Sequence, residues 1–181
     1  MKIPGSFSRV VSLLLGSAAL GVNSAVLADT AMASGATTIV TTGFTAPDVA
    51  RCLTVKGNDA NVAGNVVIVG TNIGGEVITE TIVLAGVSVV SGNKAFRTVT
   101  QVTLPAYAVA NTERVRIGTG AKLGLPLKLS RNSVIFAFLA NVREGTAPTV
   151  AVSASALESN TVTLNSALNG TAVIVDLYET L

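Results

Sequence analysis

The sequence has no histidine and no tryptophan, and its 181 residues include a single cysteine, Cys52. Histidine is the commonest general base and a frequent zinc ligand, so its absence excludes Ser-His-Asp and Cys-His triads and most zinc sites. One cysteine cannot form a disulfide framework within the chain. We therefore expect Cys52 to be a small buried hydrophobic residue, and we expect no metal and no other cofactor.

Charged and aromatic residues are also scarce. Charged residues make up 12% of the chain and aromatic residues 4%, whereas 49% of the residues are hydrophobic. A soluble domain carries about 25% charged residues, roughly twice as many. Val, Ile, Leu and Ala must therefore build the core, which favours strands. The surface, rich in Thr, Ser, Asn and Gly, favours a protein partly covered in an assembly; the alternative is a solvated, secreted β-sandwich.

The few charges do not form a pattern that indicates nucleic-acid binding or catalysis. The net charge is only +2, and no aromatic platform accompanies Arg114 and Arg116, so we expect no nucleic-acid partner. Glu76 and Glu80 share one face of a predicted strand at about 13 Å, too far apart to share a proton. We interpret that face as solvated or interfacial. Since no nucleophile and base pair up, we expect a protein that is not an enzyme.

Short β-prone runs separated by Gly, Asn, Pro and Ser fill the chain from Thr37 onward. Ile78 and Ile82 alternate with Thr79 and Thr81, the period of two that is typical of a half-buried strand. The pattern predicts an all-β fold, an antiparallel β-sandwich or jelly-roll-like domain. The predicted strands are Arg51–Lys56, Asn65–Val69, Glu76–Leu84, Ala95–Leu104, Arg114–Ile117, Ser133–Val142, Thr149–Val152, Thr161–Leu164 and Thr171–Tyr178. The predicted turns are Asn58-Asp59, Gly74-Gly75, Gly92-Asn93 and Asn169-Gly170.

The N-terminal segment differs from the rest, and we divide the chain into an apolar arm, residues 1–36, and a β-sandwich domain, residues 37–181. Residues 10–28 are apolar and small, and Val26-Leu27-Ala28 has the spacing of a signal-peptidase site. Interrupting Gly and Ser residues disfavour a membrane span, so we expect no membrane partner. Two interpretations stay open: a cleaved secretory signal, or a retained arm that docks on a neighbouring subunit.

Two apolar segments are the candidate partner-binding sites. The first is Leu13, Leu14 and Leu15 in the arm. The second is Leu125 and Pro126, which follow a glycine-rich stretch, residues 118–124. That stretch matches no phosphate-binding spacing, and we interpret it as a connection between strands.

Three segments carry a resemblance to a known group of proteins: GTNIGGEVITETIVL at residues 70–84, GNKAFRTVTQVTLP at 92–105 and GTGAKLGLP at 118–126. In this order they resemble virion proteins of tailed bacteriophages, and within that group the small head decoration, or cement, proteins. The resemblance covers residues 54–181 and leaves out the arm. It implies a β-rich structural module, a homotrimer bound to the major capsid protein on the outer surface of the capsid.

Two further functions stay open beside capsid decoration. The same composition suits another virion component, such as a tail, fibre or collar protein. The signal-like N-terminus favours a secreted bacterial β-sandwich, for example a pilin-like or adhesive subunit.

Overall fold

A computed structural model describes residues 8–180, which form an all-β sandwich and contain no α-helix. The predicted fold class is confirmed. Residues 1–7 of the predicted arm and Leu181 lie outside the described residues. One 3-10 turn, Leu157–Ser159, precedes the last two strands. The strands are β1 (Ser8–Ser17), β2 (Leu27–Ala31), β3 (Thr38–Val40), β4 (Arg51–Gly57), β5 (Ala63–Thr71), β6 (Val77–Ala85), β7 (Val90–Phe96), β8 (Thr98–Leu104), β9 (Arg114–Gly124), β10 (Val134–Leu139), β11 (Val142–Arg143), β12 (Thr149–Ala151), β13 (Thr161–Thr163) and β14 (Ala172–Thr180).

The strands form three antiparallel sheets. The first sheet has the order β1-β14-β10-β11, and the third has the order β3-β8-β5-β6. The second sheet has the order β12-β13-β9-β4-β7, and β2 also pairs with β9. The N-terminal and C-terminal strands of the described chain are therefore neighbours in the first sheet, and β9 lies in the middle of the second.

Two hydrophobic cores lie between these sheets, and β9 contributes to both. Val115 and Ile117, in the first half of β9, belong to a core shared with strands of the third sheet. Leu123, near the end of β9, belongs to a second core together with Val173 and Val175 of the first sheet. Aliphatic side chains form nearly all of both cores, as the composition predicts. Cys52 is fully buried, which confirms the prediction made for it.

Strand β9 is longer than predicted, because the glycine-rich stretch is part of it. We predicted a strand over residues 114–117 and a connection over 118–124, whereas β9 continues to Gly124. The glycines serve close packing: a Cβ atom at Gly120 would lie 2.4 Å from the Sγ atom of Cys52. Glycine in a strand is expected where another chain segment approaches closely, and here that segment is β4.

Two other local predictions are corrected. Gly92-Asn93, predicted as a turn, lies inside β7, where the register with β4 shifts. The predicted strand Ala95–Leu104 is divided at Arg97: β7 joins the second sheet and β8 joins the third. The chain therefore passes from one layer of the sandwich to the other at this residue, a change of layer that alternation alone does not reveal.

A buried arginine connects the N-terminal segment to the centre of the fold. Arg51 has only 1% of its surface exposed, and its guanidinium donates hydrogen bonds to the carbonyl oxygens of Gly120 (2.7 Å) and Ala19 (2.9 Å). The same guanidinium forms a salt bridge of 3.0 Å with Asp48, whose carboxylate also accepts the N–H of Ala19 at 2.7 Å. Three chain segments thus meet around one charge pair.

The predicted arm packs on its own chain. β1 forms an antiparallel ladder with β14, and β2 pairs with β9. Ala18 is buried in the second core, while Val26 and Leu27 are buried in the first. The expectation of an arm that docks on a neighbour is therefore corrected for residues 8–32, because β14 and β9 of the same molecule pair with β1 and β2. The division at residue 36 into independent units stays a prediction.

The buried faces give a prediction for stability. Val175 and Ile82 are 0% and 4% exposed, one in each core. Val175→Ala and Ile82→Ala should each lower the free energy of unfolding by about 2 to 4 kcal/mol, because each leaves a cavity. Val83→Ala, next to Ile82 but 60% exposed, is the matched control and should change it by less than about 0.5 kcal/mol. Urea denaturation measures all three, and equal effects at Ile82 and Val83 would contradict the assignment of faces.

The Arg51–Asp48 pair gives a prediction for how folding stability changes at low pH. Burial alone would raise the pKa of Asp48, but the hydrogen bonds from Ala19 and Arg51 and the charge of Arg51 hold that pKa below its usual value. Stabilisation by this carboxylate is therefore present above its unfolded pKa, about 3.9, and is lost as pH falls through the folded value. Asp48→Asn should be less stable than the wild type at pH 7, and this difference should shrink towards pH 3. A difference that stays constant would contradict it.

Candidate interaction surface

The outer face of the first sheet carries an unusual share of the chain's aromatic residues. The chain has only seven, five Phe and two Tyr. Phe136, Phe138 and Tyr178 all lie on this face, and Phe136 and Tyr178 are 36% and 50% exposed. We call the surface the aromatic face. It comprises Val10, Leu14, Phe136, Phe138, Arg143, Ile174 and Tyr178.

The strand register brings these side chains together. Val10 lies opposite Tyr178, and Leu14 lies opposite Ile174, across the β1–β14 ladder. Phe138 lies opposite Ile174 on the other side of β14. Neighbours across an antiparallel pair are about 5 Å apart, so these residues form an apolar surface over three strands, interrupted in its middle row by Ser12 and Asp176.

The same strands alternate between this face and the second core. Along β14, Val173, Val175 and Leu177 are fully buried, while Ile174 and Tyr178 point the opposite way. The buried residues fix the orientation of the strand, because a shift of one position would expose all of them. The exposed aliphatic and aromatic side chains are therefore held out towards solvent by the core on the opposite side of the sheet.

Two charged residues lie on this face, and each has a local contact. The guanidinium of Arg143 lies 3.9 Å from the centre of the Phe136 ring, a cation–π contact. The carboxylate of Asp176 accepts a hydrogen bond of 2.5 Å from the hydroxyl of Ser12. A surface with aromatic residues and arginine but few other charges has the composition of a protein–protein interface core.

A basic loop borders the aromatic face at Tyr178. Lys128, Arg131 and Ser133 line a cavity of about 180 Å³ that Tyr178 also lines. Arg131 is exposed, and the buried hydroxyl of Ser133 has no hydrogen-bond partner within residues 8–180. The apolar surface therefore has a positively charged border on one side, which favours a partner with carboxylates at the corresponding position.

The outer face of the third sheet is different in character. Its exposed residues include Ile39, Val77, Thr79, Thr81 and Val83, and Val77 is 76% exposed. These side chains are β-branched, and none is aromatic or charged. This surface therefore differs from the aromatic face in composition.

The predicted partner-binding residues have different outcomes. Leu14 is 69% exposed and belongs to the aromatic face, whereas its neighbours Leu13 and Leu15 are half-buried on the alternate side of β1. Leu125 is fully buried in the second core, so the prediction that it contacts a partner is corrected. Pro126 is exposed. Alternation explains these outcomes, since three consecutive residues of a strand cannot share one face.

The three aromatic residues of the face were missed in the sequence, although a signal was present. Phe136 and Phe138 are two positions apart in a predicted strand, so they must point the same way. In a chain with so few aromatic residues, that pair was a candidate for an exposed face. Val173, Val175 and Leu177 of β14 face the core, so Tyr178, at the next position, points to the outer face together with the two phenylalanines.

One carboxylate predicted to be solvated or interfacial is half-buried on the inner side of its sheet. Glu80 points to the same side of β6 as Ile78 and Ile82, and its Oε1 atom accepts the N–H of Asn93 at 2.6 Å. Glu76, in the preceding turn, accepts a hydrogen bond from the side chain of Asn72. The interpretation of a solvated or interfacial face is therefore wrong for Glu80, because even-numbered positions of β6 face the first core.

Within residues 8–180, no group of three or more Cys, Asp or Glu side chains is arranged to hold a metal ion. In the same range, no helix is long and apolar enough to cross a membrane. Comparisons with protein-family models, with curated protein sequences and with solved structures found no match.

Proposed function

We propose that this chain is a structural protein of a virion, a capsid decoration protein that binds the major capsid protein through its aromatic face. The observation that carries this proposal is the concentration of Phe136, Phe138 and Tyr178 on one exposed sheet face. The resemblance of residues 54–181 to head decoration proteins supplies the partner and the location on the outer capsid surface.

Binding through this face requires no catalytic or covalent step. Aromatic side chains remove large apolar areas from water when a partner covers them, and they account for many of the residues that dominate binding energy. Arg143, already held against Phe136, contributes a second residue type of that kind. Burial of this face across the boundary between two capsid subunits would hold the subunits together. Such a protein stabilises the particle against heat and internal pressure.

We propose that the protein also assembles with itself, as a trimer. The exposed edge and outer face of the third sheet are uncharged, so that surface offers no electrostatic repulsion between copies. Three copies around one axis would present three aromatic faces to the capsid, and multivalency would raise the total affinity.

The binding surface is tested by two pairs of substitutions. Phe136→Ser with Tyr178→Ser should raise the dissociation constant for capsids at least thirtyfold. The reason is that two exposed aromatic anchors together contribute about 2 kcal/mol or more to binding. Val87→Ser with Val109→Ser, at exposed positions outside the strands, is the matched control and should leave capsid binding unchanged. Binding is measured by co-sedimentation with particles of the same virus, and the fold is checked by thermal denaturation. Loss of binding in the control pair alone would contradict the proposal.

A secreted β-sandwich is the second candidate, because residues 10–28 have the pattern of a signal peptide. The contacts of this segment support retention. Cleavage after Ala28 would remove β1, the Ala19 contact of Arg51 and the buried side chains of Ala18 and Leu27.

The two candidates predict different N-termini. For a virion protein we expect peptides from residues 8–28 in the mature protein, detected by mass spectrometry. A chain expressed from Asp29 should unfold at a lower temperature, because the edge of β14 and part of both cores become exposed. A mature protein that begins at Asp29 and unfolds at the same temperature as the full chain would favour secretion.

A further inference from the structure

Strand β7, at one edge of the second sheet, contains a large bulge. Cys52 of β4 pairs with Ala95, and Thr54 pairs with Ser91. Residues 92–94 of β7 therefore lie opposite the single residue Leu53. A bulge of this size removes backbone groups from the ladder, and bulges often mark functional sites.

Glu80 satisfies the N–H groups of this bulge. Its Oε1 atom accepts hydrogen bonds from the N–H of Asn93 at 2.6 Å and of Lys94 at 3.3 Å. Its second oxygen, Oε2, is buried and has no hydrogen-bond partner within residues 8–180. A Cβ atom at residue 92 would lie 2.4 Å from Oε2, so the carboxylate requires glycine at Gly92.

Lys122 reaches the same bulge from β9. Its Nζ atom donates hydrogen bonds to the carbonyl oxygen of Gly92 at 2.9 Å and to the side-chain Oδ1 of Asn93 at 2.5 Å. A C=O bond is about 1.2 Å long, so Nζ lies no more than about 3.7 Å from Cγ of Asn93. That is near the separation of about 3.5 Å at which reacting atoms are positioned for attack.

We propose that Lys122 and Asn93 form an intramolecular isopeptide bond, with Glu80 as the general acid–base. The amine of Lys122 attacks Cγ of Asn93, forming the Nζ–Cγ bond and breaking the Cγ–Nδ2 bond. One proton of the lysine ammonium passes through a water molecule to the Glu80 carboxylate before the attack, because no hydrogen bond joins the two groups directly. Glu80 then returns it to the leaving nitrogen, and a second lysine proton follows, so lysine ammonium and asparagine amide become one secondary amide and one ammonium ion. No oxidant, reductant or metal is required.

The surroundings of Glu80 suit this role. Burial raises the pKa of the Glu80 carboxyl, although the hydrogen bonds from Asn93 and Lys94 and the charges of Lys94 and Lys122 act in the opposite direction. A carboxyl with a raised pKa takes up and releases a proton more readily near neutral pH. Both its free oxygen and the Lys122 amine lie against Gly92, so the two groups are close to the same peptide unit.

The position of the bond fits a load-bearing protein. β7 and β9 lie on opposite sides of β4, so the bond would connect the two neighbours of a central strand. A cavity of about 290 Å³ lined by Asn93, Lys122 and Thr161 lies beside the pair and offers a route for ammonia to leave. On β9, the bond would lie between Ile117, which belongs to the first core, and Leu123, which belongs to the second. It would therefore hold the second sheet together where that sheet contacts both cores. This inference does not depend on the identity of the binding partner.

Peptide-level mass spectrometry of the purified full chain tests the proposal. Proteolysis should yield a branched peptide in which residue 122 is joined to residue 93, lighter than the sum of its parts by one ammonia, and trypsin should not cleave after Lys122. Lys122→Arg keeps the positive charge and Glu80→Gln keeps the shape of the carboxylate. Both variants should give only linear peptides.

The variants also separate the proposal from other chemistry. Asparagine can lose ammonia by forming a succinimide with its own backbone, and that loss would persist in Lys122→Arg. Linear peptides of unchanged mass in the wild type, or ammonia loss that persists in Lys122→Arg, would overturn the proposal. A branched peptide that persists in Glu80→Gln would overturn the role of Glu80. If either variant fails to fold, Asn93→Ala, at an exposed position, provides the comparison, and its peptides should also be linear.

Discussion

Strand β9 contributes buried side chains to both cores, and the rest of the sandwich depends on this. Its first half lies in one core and its last residues lie in the other. Close approach of β4 requires a residue without a side chain at Gly120, and Arg51 then binds the carbonyl oxygen of that glycine at 2.7 Å. Through Asp48 and Ala19, the same arginine fixes the segment that joins β1 to β2. The buried guanidinium of Arg51 and the partly exposed carboxylate of Asp48 thereby link the N-terminal strands to both cores, and loss of that carboxylate would leave a buried charge without its partner.

The distribution of side chains over the two outer sheet faces supports a division of roles. Phe96 is buried in the first core, with Phe44 and Tyr107 packed against it, whereas Phe136, Phe138 and Tyr178 lie on an outer face. An exposed aromatic side chain contributes nothing to folding that a polar one would not, whereas it contributes a large area when a partner covers it. The bulge of β7 is the other departure from a regular sandwich, and there a lysine, an asparagine and a buried carboxylate meet.

Much of the fold could be predicted because strand formation depends on local alternation. The strands around residues 51–57, 63–71 and 172–180 were predicted to within two or three residues at each end. The continuation of β9 through Gly118–Gly124 was not predicted, because glycine lowers strand propensity and its use for close packing depends on a distant strand. Similarly, Gly92-Asn93 has the local pattern of a turn, and only the register of β4 against β7 makes it a bulge.

The sequence alone determined the all-β class, the aliphatic cores and the burial of Cys52, since composition and a period of two are properties of neighbouring residues. Only the tertiary structure decided which residues separated along the chain become neighbours. It paired β1 with β14, put Leu14 beside Ile174, and brought Lys122 to Asn93 across the central strand. These contacts depend on sheet order and register, which are fixed by burial of both cores together, so no short segment of the sequence contains them.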